Sequence, residues 1–255
     1  MRATKGLGQH FLRSRSVVSA IVGRLEAIPG LLEIGPGPGV LTSPLSERCH
    51  RMVALEIDRR MVAALAESAP RADIRLEDAL LVDLMEILAE LPSPRAVVSN
   101  LPYFITGPLV AKIAEARSTW DKAVLMMQKE VADRIVAGPG NSDRGSLSVY
   151  LQALFSIERV CDVPPEAFLP PPKVSSTVLE FVPLVADYPA EFFDFVRAGF
   201  KQPRKTLANN LQALLPRDEI LRRLEAAGLD ERIRPHMLTQ DQWISVSGIR
   251  DGFPS

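Results

Sequence analysis

Leu31-Leu32-Glu33-Ile34-Gly35-Pro36-Gly37-Pro38-Gly39 is a short apolar run that ends in a turn of three glycines alternating with two prolines. An apolar run of this length bounded by breakers reads as a buried strand. A glycine-rich turn after it lets a ligand approach the backbone closely. The same rhythm repeats downstream. Residues 40–48 read as a helix, 51–57 as a second strand, 59–68 as a helix, and Ile74-Arg75-Leu76 as a third strand closing at Glu77-Asp78. Arg95-Ala96-Val97-Val98-Ser99 is a fourth strand that runs into Asn100-Leu101-Pro102-Tyr103, and 123–127 is a fifth, with a helix at 129–136 behind it. Strands separated by helices of this length predict an α/β fold with a parallel, doubly wound sheet. The ligand crevice of such a sheet lies beyond the C-terminal ends of its strands, where Gly35, Glu56, Asp78 and Asn100 all fall.

The second half is punctuated differently. Residues 138–145 (Gly-Pro-Gly-Asn-Ser-Asp-Arg-Gly) form a polar, breaker-rich loop, and residues 163–173 are proline-dense around Phe168. A strand pattern returns at 174–182, and from Ala190 the pattern is helical, interrupted by Pro203, Pro216 and Pro235. This predicts two domains: residues 1–183, and a small helical domain at 184–255.

The chain has 255 residues, a net charge of −1, and ordinary hydrophobic and charged fractions of 47% and 24%. Its charge is unevenly spread. Residues 1–25 hold Arg2, Lys5, Arg13, Arg15 and Arg24 without an acid, and residues 195–217 hold Arg197, Lys201, Arg204, Lys205 and Arg217, again without one. Two such segments in a neutral chain point to one positive face that binds phosphates rather than to a generally basic protein. Cys49 and Cys161 stand alone, as do His10, His50 and His236, so neither a disulfide framework nor a metal site is expected. No apolar run has the length of a signal peptide core or a membrane span. A cytoplasmic, monomeric protein is expected.

A dinucleotide fingerprint needs GxGxxG; Val40 stands where its third glycine would be, which disfavours an NAD-dependent oxidoreductase. Glu56 can accept both hydroxyls of a ribose, and Asp78 can take an adenine amino group. With the glycine turn they outline a pocket for a nucleoside without phosphates, for which S-adenosylmethionine is the candidate. Asn100-Leu101-Pro102-Tyr103 suits a flat, amino-bearing ring: an amide acceptor, a backbone fixed by proline and a stacking face. Adenine N6 is a poor nucleophile. Acceptors from the Asn100 side chain and the Leu101 carbonyl could draw its amino hydrogens toward tetrahedral geometry and free the lone pair, with the base flipped out of its helix.

These motifs resemble, in order and over almost the whole chain, the small-subunit ribosomal RNA adenine N6,N6-dimethyltransferases of KsgA type. The matching segments are 7–12 (Leu-Gly-Gln-His-Phe-Leu), 32–39, 56–58, 100–103, 128–132, 168–174 and 204–211 (Arg-Lys-Thr-Leu-Ala-Asn-Asn-Leu). The resemblance implies a Rossmann-like class I methyltransferase sheet and a cofactor pocket drawn from His10 and Leu12 of an N-terminal arm, Gly35, Gly37, Glu56, Asp78 and Asn100. It implies an adenine stacked on Tyr103 with Phe168 as second wall. The implied substrate is two adjacent adenosines in the 3′-terminal hairpin of 16S ribosomal RNA within an assembling 30S subunit. Arg2, Lys5, Arg13, Arg15, Arg197, Lys201, Arg204 and Lys205 would contact RNA, and the C-terminal helices would dock on the subunit. Two alternatives stand beside it: an Erm-type enzyme acting on 23S ribosomal RNA, which the 204–211 pattern disfavours, and an assembly factor acting mainly by binding. The chain departs from the family at Phe104-Ile105-Thr106-Gly107-Pro108, where Asn-Ile-Ser-Thr-Pro is commoner, and at Pro203, where an arginine-rich run is usual.

Overall fold

The computed structural model describes residues 10–186 and 188–249. They form two compact units: one runs to Ala132 and includes Ile157–Pro183, the other comprises Asp133–Ser156 and the chain from Leu184 onward. The second stretch therefore begins where the sequence suggested, but the second unit also takes in residues 133–156. The reason is apolar. In α7 (Ser146–Leu154), Val149 and Ala153 are buried with Phe192, Phe195, Leu207 and Trp243 in the core of the second unit.

In the first unit, α1 (Arg15–Arg24) precedes β2 (Gly30–Ile34), α2 (Thr42–Ser46), β3 (Arg51–Glu56), α3 (Arg59–Ser68), β4 (Asp73–Leu76), α4 (Leu84–Ala89), β5 (Arg95–Asn100), α5 (Thr106–Glu115), β6 (Lys122–Gln128) and the start of α6 (Lys129–Val136). β7 (Phe155–Val163), β8 (Phe168–Leu169) and β9 (Ser176–Pro183) follow, and β1 (Phe11–Leu12) lies at the described N-terminus. The main sheet has the order β4-β3-β2-β5-β6-β9-β7. Strands β2 to β6 are mutually parallel, as expected, whereas β9 runs antiparallel to β6, from Ala123↔Phe181 to Gln128↔Ser176. The sheet is thus mixed rather than wholly parallel; the parallel strands need helical crossovers, whereas β7 and β9 are neighbours joined without one. All five residues of β2 are buried, because helices cover both faces of a doubly wound sheet.

Strand order reverses between β2 and β5, which places the crevice at their C-terminal ends. Ser99 Oγ donates to the Ile34 carbonyl at 2.7 Å and ties these two ends together. Local chemistry sets the helix starts. Asp58 caps α3 through Arg60 N–H, and Asp83 caps α4 through Met85 and Glu86 N–H. The helix expected at 40–48 is shorter, confined to α2, and follows Gly39 at a positive φ of 88°. The sequence reading assigned nothing to residues 146–162, which hold α7 and β7.

The second unit adds α8 (Ala190–Gly199), α9 (Leu207–Leu211), α10 (Arg217–Ala226) and α11 (Gln240–Ser247). Its loop at 138–145 is pinned rather than free: Arg144 is 3% exposed and donates to the Ala137 carbonyl and to Gln152 Oε1. Asn210 is buried and accepts from Gln202 N–H while donating to the Gln202 and Thr206 carbonyls.

Two helical glycines should respond oppositely to alanine. A Cβ at Gly23 meets nothing within 4 Å, so Gly23→Ala should stabilise by about 0.5 kcal/mol from helix propensity. A Cβ at Gly199 would lie 2.5 Å from Trp243 Cη2, so Gly199→Ala should cost about 1–3 kcal/mol by overpacking. Calorimetric unfolding of both variants checks the signs.

Candidate active site

A crevice of about 1040 Å³, counting space open to solvent, lies at the switch point. Its lining includes the glycine turn, Glu33, Glu56, Asp78, Asn100, Leu101, Pro102, Tyr103 and residues 10–12. Gly35 takes φ +70°, and a Cβ built there meets nothing within 4 Å; the open space at this position belongs to the crevice. Gly39, at φ +88°, has a different reason: a Cβ would come within 2.9 Å of Leu65 on α3.

Glu56 ends β3 and is buried. Its Oε2 accepts from Gly37 N–H at 3.0 Å and its Oε1 from Asp58 N–H at 2.8 Å. Burial raises its pKa, with these backbone donors opposing. Each oxygen keeps a lone pair, so the carboxylate can still accept two hydroxyl donors. Asp78 Oδ1 accepts from Leu80 N–H at 2.9 Å, which shapes the turn after β4.

Asn100 ends β5. Its Nδ2 donates to the His10 carbonyl at 3.2 Å, which leaves Oδ1 as acceptor on a residue that lines the crevice. Leu101 N–H continues the ladder to the Met126 carbonyl at 2.9 Å, and a short 3₁₀ turn follows at Tyr103–Ile105. The Tyr103 hydroxyl lies 2.8 Å from Ser176 Oγ, and its ring stacks on His10 with centroids 5.5 Å apart. Burial raises the phenol pKa, with the Ser176 hydrogen bond opposing, so Tyr103 stays neutral. The His10 ring in turn is bonded through Nδ1 to the Pro170 carbonyl at 2.8 Å.

Phe168 is placed elsewhere. β8 pairs antiparallel with β1, Leu12↔Phe168 and Phe11↔Leu169. Phe168 is 3% exposed in the core with Leu12, Val17 and Ile21 and does not line the crevice. Strand alternation turns Phe168 inward and its neighbour Leu169, 53% exposed, outward. In this structure Phe168 is thus packed in the core and not placed as the second wall of the crevice.

Glu33 is the site residue that the sequence reading passed over; the signal was an acid inside an apolar strand. It is 2% exposed, and its Oε2 has no hydrogen-bond partner. Desolvation pushes its pKa up to about 8, with the Glu56 charge adding. Phe11 was also missed; its ring lies against Gly37.

Among the basic residues, Arg2 and Lys5 lie outside the described residues. Arg13 and Arg15 are exposed in the first unit, and Lys201, Arg204 and Lys205 in the second. Arg197 pairs with Asp194 at 2.8 Å, and Arg24 with Glu158 at 2.9 Å and Glu180 at 3.6 Å. Segments free of acids in sequence are thus not free of them in space. Among the described residues there is no cluster of three metal-ligating side chains, and no helix long and apolar enough to cross a membrane.

Residues 1–250 match the model of the ribosomal RNA adenine dimethylase family. The chain belongs to this family. It is 40% identical to ribosomal RNA small subunit methyltransferase A of Geobacillus kaustophilus over 95% of this chain and 89% of that one. It is likewise 40% identical to the protein of the same name from Synechococcus elongatus, over 96% and 94%. Among solved structures, a dimethyladenosine transferase from Plasmodium falciparum superposes with a TM-score of 0.79 at 24% identity, covering 94% of this chain and 99% of that one. The 23S rRNA methyltransferase ErmE superposes with 0.73 at 27% identity, covering 93% and 98%.

Membership makes the chain an S-adenosylmethionine-dependent ribosomal RNA adenine dimethyltransferase. The crevice fits that cofactor: open space at Gly35, a carboxylate with acceptor capacity at Glu56, and an orphaned buried oxygen at Glu33.

The raised Glu33 pKa gives a sign-definite prediction. A carboxyl neutral in the fold but ionised in the unfolded chain stabilises fully below about 4.5, and that contribution is lost as pH rises toward 8. Glu33→Gln removes the penalty of keeping a proton. It should be more stable than the parent at pH 8 by a few kcal/mol, roughly the linkage value of such a shift, with the gap closing toward pH 4.5. Urea melts across this range check it; a gap independent of pH would refute it.

Proposed function

We propose that this protein dimethylates N6 of two adjacent adenosines in the 3′-terminal hairpin of 16S ribosomal RNA, within an assembling 30S subunit in the cytoplasm. The observation that carries the reading is the Asn100 amide: its nitrogen is held by the His10 carbonyl, so its oxygen is left to accept. Identity of 40% to proteins named for the small subunit, against 27% to a 23S enzyme, supports this target over the Erm-type one.

When bound, S-adenosylmethionine supplies an electrophilic methyl group. Gly35, Gly37, Glu56 and Asp78 would hold the nucleoside part, with His10 and Leu12 closing the crevice. Asn100 Oδ1 and the Leu101 carbonyl accept the two amino hydrogens of adenine N6 and turn its lone pair out of conjugation. Pro102 fixes that turn. Tyr103, one face covered by His10, stacks the flipped base on the other. Alignment of this kind supplies on the order of 7–11 kcal/mol without a strong base. Arg13, Arg15, Lys201, Arg204 and Lys205 would contact phosphates, and the second unit would dock on the subunit. Arg2, Lys5 and Arg197 complete the proposed RNA contacts.

The test uses 30S subunits from cells lacking the endogenous enzyme, with 50S subunits in parallel, labelled S-adenosylmethionine and nucleoside mass spectrometry. N6,N6-dimethyladenosine in the 3′-terminal hairpin is expected; label confined to 23S RNA would move the protein to the Erm-type target. Asn100→Ala should lower kcat by roughly 10²–10³-fold, the usual cost of removing one transition-state hydrogen-bond partner. Tight 30S binding with no label would favour the assembly-factor reading.

A further inference from the structure

We propose that Phe104 stacks on the nucleobase adjoining the target adenosine, so that the two consecutive rings Tyr103 and Phe104 each hold one of two consecutive bases. This rests on the reading of the site as an RNA adenine methyltransferase. Among the described residues Phe104 is the one exposed Phe, Tyr or Trp, with 59% of its surface in water. It stands at the crevice, whose lining it joins directly after Tyr103. Every other described ring of these types is at least partly buried.

The geometry divides the labour between the two rings. Tyr103 is fixed from two directions, by Ser176 at its hydroxyl and by His10 on one face. Tyr103 and Phe104 are successive residues of a 3₁₀ turn. Three residues complete such a turn, so neighbouring side chains diverge by about 120°. The rings therefore cannot clamp one base between them. Nor does Phe168 reach the crevice to do so, being held in the core. One ring then serves the flipped adenine within the crevice, and the other, exposed at its edge, offers a face to the next base of the strand. Stacking tolerates any base, because each has a π-face; an apolar aliphatic side chain would fill space without reproducing it.

The experiment compares Phe104→Ala, Phe104→Leu and Phe104→Trp with the parent enzyme on undermethylated 30S subunits at saturating S-adenosylmethionine. Cofactor affinity is measured separately without RNA, and thermal stability alongside. Loss of one base stack should raise KM for the subunit roughly tenfold in the Ala variant, with kcat and cofactor affinity little changed. Trp should restore the parent KM and Leu should not. Restoration by Leu would reduce Phe104 to apolar contact and overturn the proposal, as would an unchanged KM in the Ala variant. A fall in kcat or cofactor affinity without a rise in KM would place the ring on the target base or the cofactor instead and would equally overturn it. A parent enzyme inactive on both subunits would reject the underlying reading, and this proposal with it. An active parent with an indifferent Phe104 rejects this proposal alone.

Discussion

The hydrogen bond from Asn100 Nδ2 to the His10 carbonyl joins the end of the central strand to a segment 90 residues earlier in the chain. Without it the amide at the crevice wall has no fixed orientation, and its oxygen no assigned role. Its geometry depends in turn on what holds His10. The β1–β8 pairing, the His10 contact with the Pro170 carbonyl and the stack on Tyr103 converge on that residue. The N-terminal segment and the proline-dense segment are thus a brace for the Asn-Leu-Pro-Tyr turn at the crevice. Proline in the brace lowers the entropy lost on fixing it.

Two buried acids define the other wall. Glu56 is compensated: each oxygen takes a backbone N–H, which offsets part of the cost of desolvating a charge. Glu33 is compensated less: the Thr42 side chain opposes its desolvation only in part, and its Oε2 stays without a partner. Desolvation with a second carboxylate nearby keeps Glu33 protonated near neutrality. An uncompensated polar atom beside a ligand crevice is the kind of stability cost that functional sites retain.

Charge proved harder to read than apolar pattern. Arg24 and Arg197 looked unopposed along the chain, yet Glu158, Glu180 and Asp194 reach them in space. The exposed Arg197–Asp194 pair contributes little to stability, but all of these pairs remove cations from any RNA-facing surface. Arg204 and Lys205 stay exposed at the loop that Asn210 clips to Gln202 and Thr206. The Arg-Lys-Thr-Leu-Ala-Asn-Asn-Leu motif therefore contains both the cations and the amide that fixes the loop carrying them.

The sequence by itself determined the strand–helix alternation, the glycine turn, the acids that close β3 and β4, and the Asn-Leu-Pro-Tyr turn. Each is a local pattern, set by apolar periodicity or by backbone angles that only certain residues adopt. Tertiary structure alone decided the antiparallel direction of β9, the membership of residues 133–156 in the second unit, the burial of Phe168 and the protonation of Glu33. The physical reason is common to all four. Strand direction, unit membership, ring burial and desolvation depend on partners distant in sequence: β6 for β9, Phe192 and Trp243 for α7, Leu12 for Phe168, and the flanking strands β3 and β5 for Glu33. No window of neighbouring residues contains them.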